Sequence, residues 1–92
     1  MMQEVTFSQA KGNRDRFSIL ADMLTRAIGG IRKTELMCRV GLSSLQLCKY
    51  MDVLTRFGLM DVQILEKTAI YRTTPRGKNF LEAFGTMVEF LG

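Results

Sequence analysis

The side chains in this sequence that are suited to chemistry are mainly cations, and they cluster in the middle of the chain. Residues 31–49 hold four lysines and arginines against one acid, and residues 67–78 hold four with no acid. Lysine and arginine are the side chains that bind phosphate groups most often. Together with a formal net charge of +4, this placement predicts contact with a polyanion.

The same inventory argues against catalysis and metal binding. The chain has no histidine, and Cys38 and Cys48 lack the Cys-x-x-Cys spacing of zinc and redox sites. Ser43 and Ser44 have no histidine base to activate them, and no glycine-rich phosphate loop is present. We therefore expect no enzymatic activity, no metal and no cofactor. Both cysteines are expected as reduced thiols, with a disulfide left open for a hyperthermophilic source.

The cations must be positioned by helices, and residues 34–58 predict two helices joined by a tight turn. Ser43 is expected to cap the second helix, Gln46 to complete a capping box, and Gly58 to end it. The apolar residues of this helix recur at three- and four-residue steps, namely Leu47, Tyr50, Met51, Leu54 and Phe57. The opposite face is therefore expected to be exposed. In the shorter preceding helix, Thr34 is the expected N-cap.

Two further helices and a hairpin flank this pair. A first helix is expected from Arg14 to Ile28, with a broad apolar stripe of Phe17, Ile19, Leu20, Met23, Leu24, Ala27 and Ile28. Residues 59–73 predict strand, turn and strand, with Lys67 at the tip, and Ile31 is a candidate for a very short strand. Thr74 and Pro75 predict the start of a last helix that runs towards Leu91.

These elements predict a mostly α fold with a small β-hairpin (α+β), in the order helix, short strand, helix, helix, strand, strand, helix. That order describes a winged helix-turn-helix, with the helix-turn-helix at 34–58, the wing at 59–73 and a C-terminal dimerisation helix at 75–91. A chain of 92 residues forms one domain, here 14–92, and residues 1–13 form an N-terminal segment without an assigned function. No membrane span or signal peptide is recognisable, so a cytoplasmic location is expected.

Four pieces of the sequence resemble a known family. They are RDRFSILADML (14–24), GGIRKTELM (29–37), LSSLQLCKYMDVLTRFGLM (42–60) and YRTTPRGKNFLEAF (71–84). They resemble the small archaeal winged-helix proteins, which include single-domain transcription regulators and 10-kilodalton chromosomal proteins. The resemblance implies binding to double-stranded DNA through the helix from Ser44, backbone contact by the wing, dimerisation through the C-terminal helix and association with the nucleoid.

For a helix of this kind in the major groove, candidate residues can be assigned to each part of the DNA. The base edges are expected to meet Ser44, Leu45, Gln46 and Lys49. The phosphates are expected to meet Arg32, Lys33 and Arg39, with Lys67 and Arg72 reaching a phosphate or the minor groove from a basic wing. For several polar side chains, a role within the protein stays open as the alternative to DNA contact. In that case the cap would use Gln46 completely, Asp52 and Arg56 would pair with each other, and Lys67 would only discourage pairing at the sheet edge.

A homodimer is expected to form through the first and last helices. The expected interface residues are Ile19, Met23, Phe80, Phe84, Met87, Val88 and Leu91, although such a stripe ordinarily packs within its own protomer. Three functions stay open: a transcription regulator, which we favour, an architectural chromatin protein of low sequence specificity, and a winged-helix module for protein contacts. An exposed Leu45 and the acidic Asp52 would suit the third.

Overall fold

The computed structural model describes residues 15–91, and the predicted N-terminal segment, residues 1–13, lies outside the described residues. The chain forms α1 (Arg16–Arg26), β1 (Ile31–Arg32), α2 (Lys33–Val40), α3 (Ser44–Arg56), β2 (Met60–Leu65), β3 (Thr68–Thr73) and α4 (Pro75–Leu91). This order of elements confirms the predicted fold class. None of the helices within residues 15–91 is both long and apolar enough to cross a membrane.

The three strands form an antiparallel sheet in the order β1-β3-β2. Its register pairs Ile31 with Tyr71 and Met60 with Thr73. The hairpin reverses over two residues, Glu66 and Lys67, whose φ angles are 48° and 68°. Positive φ at both central residues matches the twist of the flanking strands. The wing is thus close to its predicted limits, and Lys67 lies at its tip as expected.

The core is enclosed by α1, α2, α3 and the base of the sheet. Its largest fully buried side chains are Met23, Leu24, Leu36, Leu47, Leu54 and Met60. The predicted apolar stripes are wrong at three positions, because Phe17, Ile28 and Phe57 are exposed. Ile28 and Phe57 lie past the last helical residues of α1 and α3, and Phe17 lies in the first turn of α1. Helical periodicity therefore does not extend the buried face to these ends.

The start of α2 differs from the prediction, because Arg32 and not Thr34 is the N-cap residue. Arg32 pairs with Ile70 in the sheet, and this pairing holds its backbone extended, with φ −81° and ψ 153°. Its side chain makes no cap hydrogen bond. The beginning of α2 is therefore set by strand pairing, whereas Thr34 already lies inside the helix.

Two consecutive threonines attach α4 to the rest of the fold. The Thr73 N–H donates to the Ala27 carbonyl at 3.0 Å, and its hydroxyl donates to the Leu24 carbonyl at 2.6 Å. Thr74 donates through its N–H to the Leu59 carbonyl at 3.0 Å and through its hydroxyl to the Gly58 carbonyl at 2.6 Å. We call these two residues and their four partners the threonine junction. It holds the ends of α1 and α3 against the start of α4.

The first turn of α4 begins as predicted, with the Thr74 hydroxyl accepting a hydrogen bond from the Gly77 N–H at 3.0 Å. Gly77 is buried where α4 approaches the backbone closely. A Cβ at this residue would overlap the Leu59 carbonyl oxygen and lie 2.6 Å from Thr73 Cγ2. Glycine is therefore required at this helical position for the approach and not for its backbone angles.

The substitution Gly77→Ala is expected to lower the free energy of unfolding by about 2 kcal/mol or more, because the added methyl group has no space. Gly85→Ala in the same helix is the matched control, since nothing lies within 4 Å of a Cβ there. It should raise the free energy by about 0.5–1 kcal/mol, as alanine favours helices over glycine. Urea unfolding followed by circular dichroism measures both, and a harmless Gly77→Ala would contradict the close contact.

Candidate nucleic-acid interface

The N-terminus of α3 is closed by the predicted capping box. The Ser43 hydroxyl accepts from the Gln46 N–H at 3.2 Å, and Gln46 Oε1 accepts from the Ser43 N–H at 3.1 Å and from the Ser43 hydroxyl at 3.2 Å. A bidentate contact to adenine needs both the oxygen and the amino group of the amide. Gln46 can therefore read adenine in that way only by giving up its part of the cap.

The exposed face of α3 lies opposite Leu47, Met51 and Leu54, which are buried. Leu45 is 72% exposed, and Ser44 and Lys49 beside it are also exposed. Further along the helix, the Arg56 Nε lies 3.2 Å from the Asp52 Oδ2. This is the pairing that the sequence left open. The cation of Arg56 thus has a neighbouring anion, whereas Lys49 has no ion pair among the described residues.

An open groove of about 380 Å³ separates α3 from the sheet. We call it the α3–wing groove, and its lining residues are Lys33, Cys48, Met51, Asp52, Thr55, Val62 and Tyr71. The groove brings the predicted phosphate contact Lys33 next to the exposed side of α3. The α3 wall of the groove was not predicted from the sequence, although Cys48, Asp52 and Thr55 recur at steps of four and three beside the buried face.

A second depression, of about 280 Å³, lies on the far side of α2 from Lys33. Its lining residues are Arg26, Gly30, Ile31, Glu35 and Arg39. The Arg39 Nε is 3.3 Å from the Glu35 Oε2. The guanidinium of Arg72 lies against Gly30, since a Cβ there would be 2.7 Å from Arg72 Nη2. Arg39 and Arg72 are therefore grouped with this depression and not with α3.

The register of the sheet separates its cations in the same way. Arg32 is opposite Ile70, and Arg72 lies two residues further along β3 on the same face. Val62 and Tyr71, which are opposite each other, share the other face and line the α3–wing groove. The nine predicted DNA contacts, all of them exposed, thus form three groups. They are Lys33, Ser44, Leu45, Gln46 and Lys49 around α3; Arg32, Arg39 and Arg72 on the other side; and Lys67 at the tip.

The prediction of a basic wing is wrong in its charge. The hairpin from Met60 to Thr73 contains two acids, Asp61 and Glu66, and two bases, Lys67 and Arg72. Its formal charge is therefore zero (+2 − 2 = 0). The stretch of residues 67–78 is basic because it includes Arg76 and Lys78, which belong to α4. The cations that are close together in the sequence at 67–78 are therefore divided between the hairpin and α4.

The expected dimer interface is also wrong in its α1 members. Met23 has no accessible surface and Ile19 is buried, so both belong to the core of the protomer. On α4, Phe80 and Phe84 are half-buried, and their rings stack with centroids 6.2 Å apart. Beyond them Met87, Val88 and Leu91 are exposed, as is the neighbouring Phe90. On α4, the exposed large apolar side chains thus lie in its last two turns.

The remaining polar chemistry within residues 15–91 is sparse. No group of three or more cysteine, aspartate or glutamate side chains in this part of the chain is placed to hold a metal ion. Cys38 and Cys48 are exposed, and neither forms a disulfide. The candidate site within the described residues is therefore the exposed face of α3 together with the cations beside it.

Comparison with known proteins identifies the architecture. A family model described as winged helix-turn-helix matches residues 13–91. Among curated proteins, none matches the chain by sequence at a significant level.

Several solved structures share this fold. Sso10a-2, described as a DNA-binding protein from Sulfolobus solfataricus, superposes with a TM-score of 0.74 and 22% identity, covering 84% of this chain and 81% of that one. A mutant of MepR from S. aureus bound to an oligodeoxyribonucleotide superposes with a TM-score of 0.70 and 12% identity, covering 88% of this chain and 62% of that one. The transcriptional regulator PcaV from Streptomyces coelicolor superposes with a TM-score of 0.70 and 17% identity, covering 96% of this chain and 79% of that one.

Two substitutions of Gln46 test its role in the capping box. Gln46→Ala should lower the free energy of unfolding by about 0.5–1 kcal/mol, because the Ser43 N–H loses its acceptor. Gln46→Glu keeps an acceptor and places a negative charge at the positive end of α3, so stability should be retained or raised. Thermal unfolding measures both values. Equal losses in the two variants would contradict the capping role.

Proposed function

We propose a function for this chain from one established premise, which is that the chain belongs to the winged helix-turn-helix family. The proposed function is that of a DNA-binding transcription regulator, a homodimer that places α3 in the major groove. One observation carries the proposal. The N-terminal half of α3 exposes Leu45 and Lys49 while the opposite face of the same helix is fixed in the core.

The dimensions of α3 suit this role. An α-helix with its side chains is about 10–12 Å across, and the major groove of B-DNA is about 12 Å wide. In that position Lys49 can donate to the O6 and N7 atoms of guanine, Leu45 can contact a thymine methyl group, and Ser44 can donate to or accept from either base. The capped N-terminus of α3 would hold these side chains in register with the bases.

The neighbouring cations would contact the DNA backbone. Lys33 opens α2 beside the α3–wing groove, and Lys67 lies at the end of the hairpin. These residues sit on either side of the space that a sugar–phosphate strand would occupy if α3 lay in the groove. Arg32, Arg39 and Arg72 lie away from α3, and we assign them a smaller part in contact with the same duplex.

The solved structures support this proposal through what their descriptions record. Sso10a-2 is described as a DNA-binding protein, MepR is bound to an oligodeoxyribonucleotide, and PcaV is a transcriptional regulator. At identities of 12–22%, the structural likeness shows a shared fold and no shared function. The assignment of DNA as the partner therefore rests on the family together with the exposed side chains of α3.

A second candidate function is an architectural DNA-binding protein with low sequence specificity. The observation that favours it is the engagement of Gln46 in the capping box, which leaves Lys49 as the main group on α3 able to discriminate between bases. Footprinting over a genome distinguishes the two candidates. Sharp palindromic peaks indicate a regulator, and broad coverage indicates an architectural protein.

The proposed homodimer would form through the C-terminal half of α4. With 17 residues against 11 in α1, α4 is longer by about 9 Å, so its last turns extend past the helix on which it packs. Those turns expose Met87, Val88, Phe90 and Leu91. A two-fold related copy of the same apolar surface would cover them, and a dimer could present two α3 helices to half-sites about 34 Å apart.

Titration of duplex binding against salt concentration tests the DNA contact. The wild-type protein should bind with a log–log slope of several negative units, and Lys49→Ala should reduce the magnitude of that slope by about one. Arg26→Ala is the control for net charge, because it removes one positive charge from α1, where Arg26 pairs with Asp22 at 2.9 Å beside the depression on the far side of α2. Its slope should stay close to that of the wild type.

Two results would count against the proposal. Undetectable binding of the wild-type protein at low salt would favour a module for protein contacts. An equal change of slope in Lys49→Ala and Arg26→Ala would show that the protein attracts DNA through its net charge and not through α3.

The dimer is tested by adding a charge to its proposed surface. The protomer mass is 10.5 kDa, so the wild type should have about twice that mass by light scattering. Met87→Glu should yield the protomer, because the carboxylate would be buried without a partner. Glu89→Lys changes the charge on the opposite side of the same end of α4, about 200° round the helix from Met87, and should leave the dimer intact. A monomeric wild type, or dissociation by both variants, would contradict this interface.

A further inference from the structure

The cations on the two sides of α2 differ in kind. Next to α3 and at the tip of the hairpin, the cations without an ion pair in the described part of the chain are Lys33, Lys49 and Lys67. The cations around the depression on the far side of α2 are all arginines, and we call them the arginine face. They are Arg26, Arg32, Arg39 and Arg72.

The guanidinium of Arg72 reaches the depression because Gly30 has no side chain. Gly30 lines the depression, and its φ of 95° lies in the left-handed region that favours glycine. A Cβ at Gly30 would be 2.7 Å from Arg72 Nη2. The guanidinium therefore occupies the space that a side chain would take, beside a depression that Arg26 and Arg39 also line.

Two arginines of this face have neighbouring acids that neutralise them only in part. The Arg26 Nε lies 2.9 Å from the Asp22 Oδ1, and the Arg39 Nε lies 3.3 Å from the Glu35 Oε2. A guanidinium has five N–H donors, so the terminal amino groups of both arginines can still donate to another carboxylate. The other two arginines have no ion pair in the described part of the chain. With its two acids the face has a formal charge of +2 (+4 − 2 = +2).

The mixture of charges on this face suits a protein better than a second duplex. A DNA backbone presents negative charge alone, so Asp22 and Glu35 would repel it. Interfaces between proteins are enriched in arginine and depleted in lysine, and the planar guanidinium can bind a carboxylate through two parallel hydrogen bonds. The depression is open, about 280 Å³ in volume, whereas a small-molecule site encloses most of its ligand. An extended segment of chain fits such a surface.

We propose that the arginine face binds an acidic segment of another protein, with the carboxylates of that segment paired to the guanidinium groups of Arg39 and Arg72. This inference goes beyond the proposed function and does not depend on it. Because Lys33 and Arg39 lie on opposite sides of α2, DNA on α3 and an acidic segment on the arginine face would occupy separate surfaces. One protomer can then bind both partners at once.

The test titrates an oligoglutamate peptide into isotope-labelled protein and follows the Nε–H signals of the arginine side chains by NMR. The signals of Arg39 and Arg72 should move, and an oligoglutamine peptide of the same length should leave them in place. Arg72→Lys keeps the charge but loses the paired donors, so it should weaken binding of the peptide about tenfold. Arg39→Lys makes the same exchange on an exposed helix and should act in the same direction. Lys33→Ala removes a full charge from the other side of α2 and should leave the affinity unchanged.

Several results would overturn this inference. Absence of any movement with oligoglutamate would do so, and so would full affinity for the peptide in both arginine-to-lysine variants. Equal weakening by Lys33→Ala and Arg72→Lys would show attraction by net charge alone.

Titration with a short duplex separates this inference from the proposed function. The duplex should move mainly the amide signals of Leu45 and Lys49. Arginine signals that respond more to the duplex than to the peptide would overturn the inference in favour of a second phosphate-binding surface. Movement of Arg39 and Arg72 with the peptide, in a protein that binds no duplex, would support the arginine face and refute the proposed function.

Discussion

The structure depends on a dipeptide that hydrogen-bonds to the ends of two helices at once. The last carbonyl groups of a helix lack intrahelical partners. Thr73 donates to Leu24 and Ala27 at the end of α1, and Thr74 donates to Gly58 and Leu59 just after α3. Thr73 is buried, where an unpaired hydroxyl would be costly. The threonine junction therefore satisfies carbonyl groups at the end of α1 and in the turn after α3, and it fixes α4 relative to α3 in the same step.

This junction gives α4 a fixed direction with respect to the exposed face of α3. Gly77 permits the first turn of α4 to lie directly on the backbone of Leu59, so little space remains for the helix to shift. The far end of α4 carries the exposed apolar residues, including Phe90 at 88% and Leu91 at 77% exposure. If two copies join there, the separation of their α3 helices follows from the angle set at Gly77. Packing far from the DNA would then decide the spacing of half-sites.

Features set by neighbouring residues were predictable from the sequence, and features set by distant pairing were not. The capping box of Ser43 and Gln46 and the start of α4 at Thr74 each need residues within three positions, and both are present. The start of α2 depends on the pairing of Arg32 with Ile70, 38 residues away, which no local pattern records. Helical periodicity predicted that α1 has a buried face, but how far that face is covered depends on its neighbours in space, which leave Phe17 exposed.

In the candidate site, the distribution of cations over the surface was likewise not predictable from their order in the sequence. The cations counted along residues 31–49 and 67–78 belong to separate faces, because Lys33 and Arg39 lie on opposite sides of α2 and Arg76 belongs to α4. Fewer cations then adjoin α3 than the linear count implied. If α3 binds DNA as proposed, a face with few cations must obtain more of its affinity from shape and apolar contact, because each phosphate contact supplies part of the salt-dependent affinity. In the proposed complex, the exposed Leu45 is the apolar side chain on this face of α3 that can make such a contact.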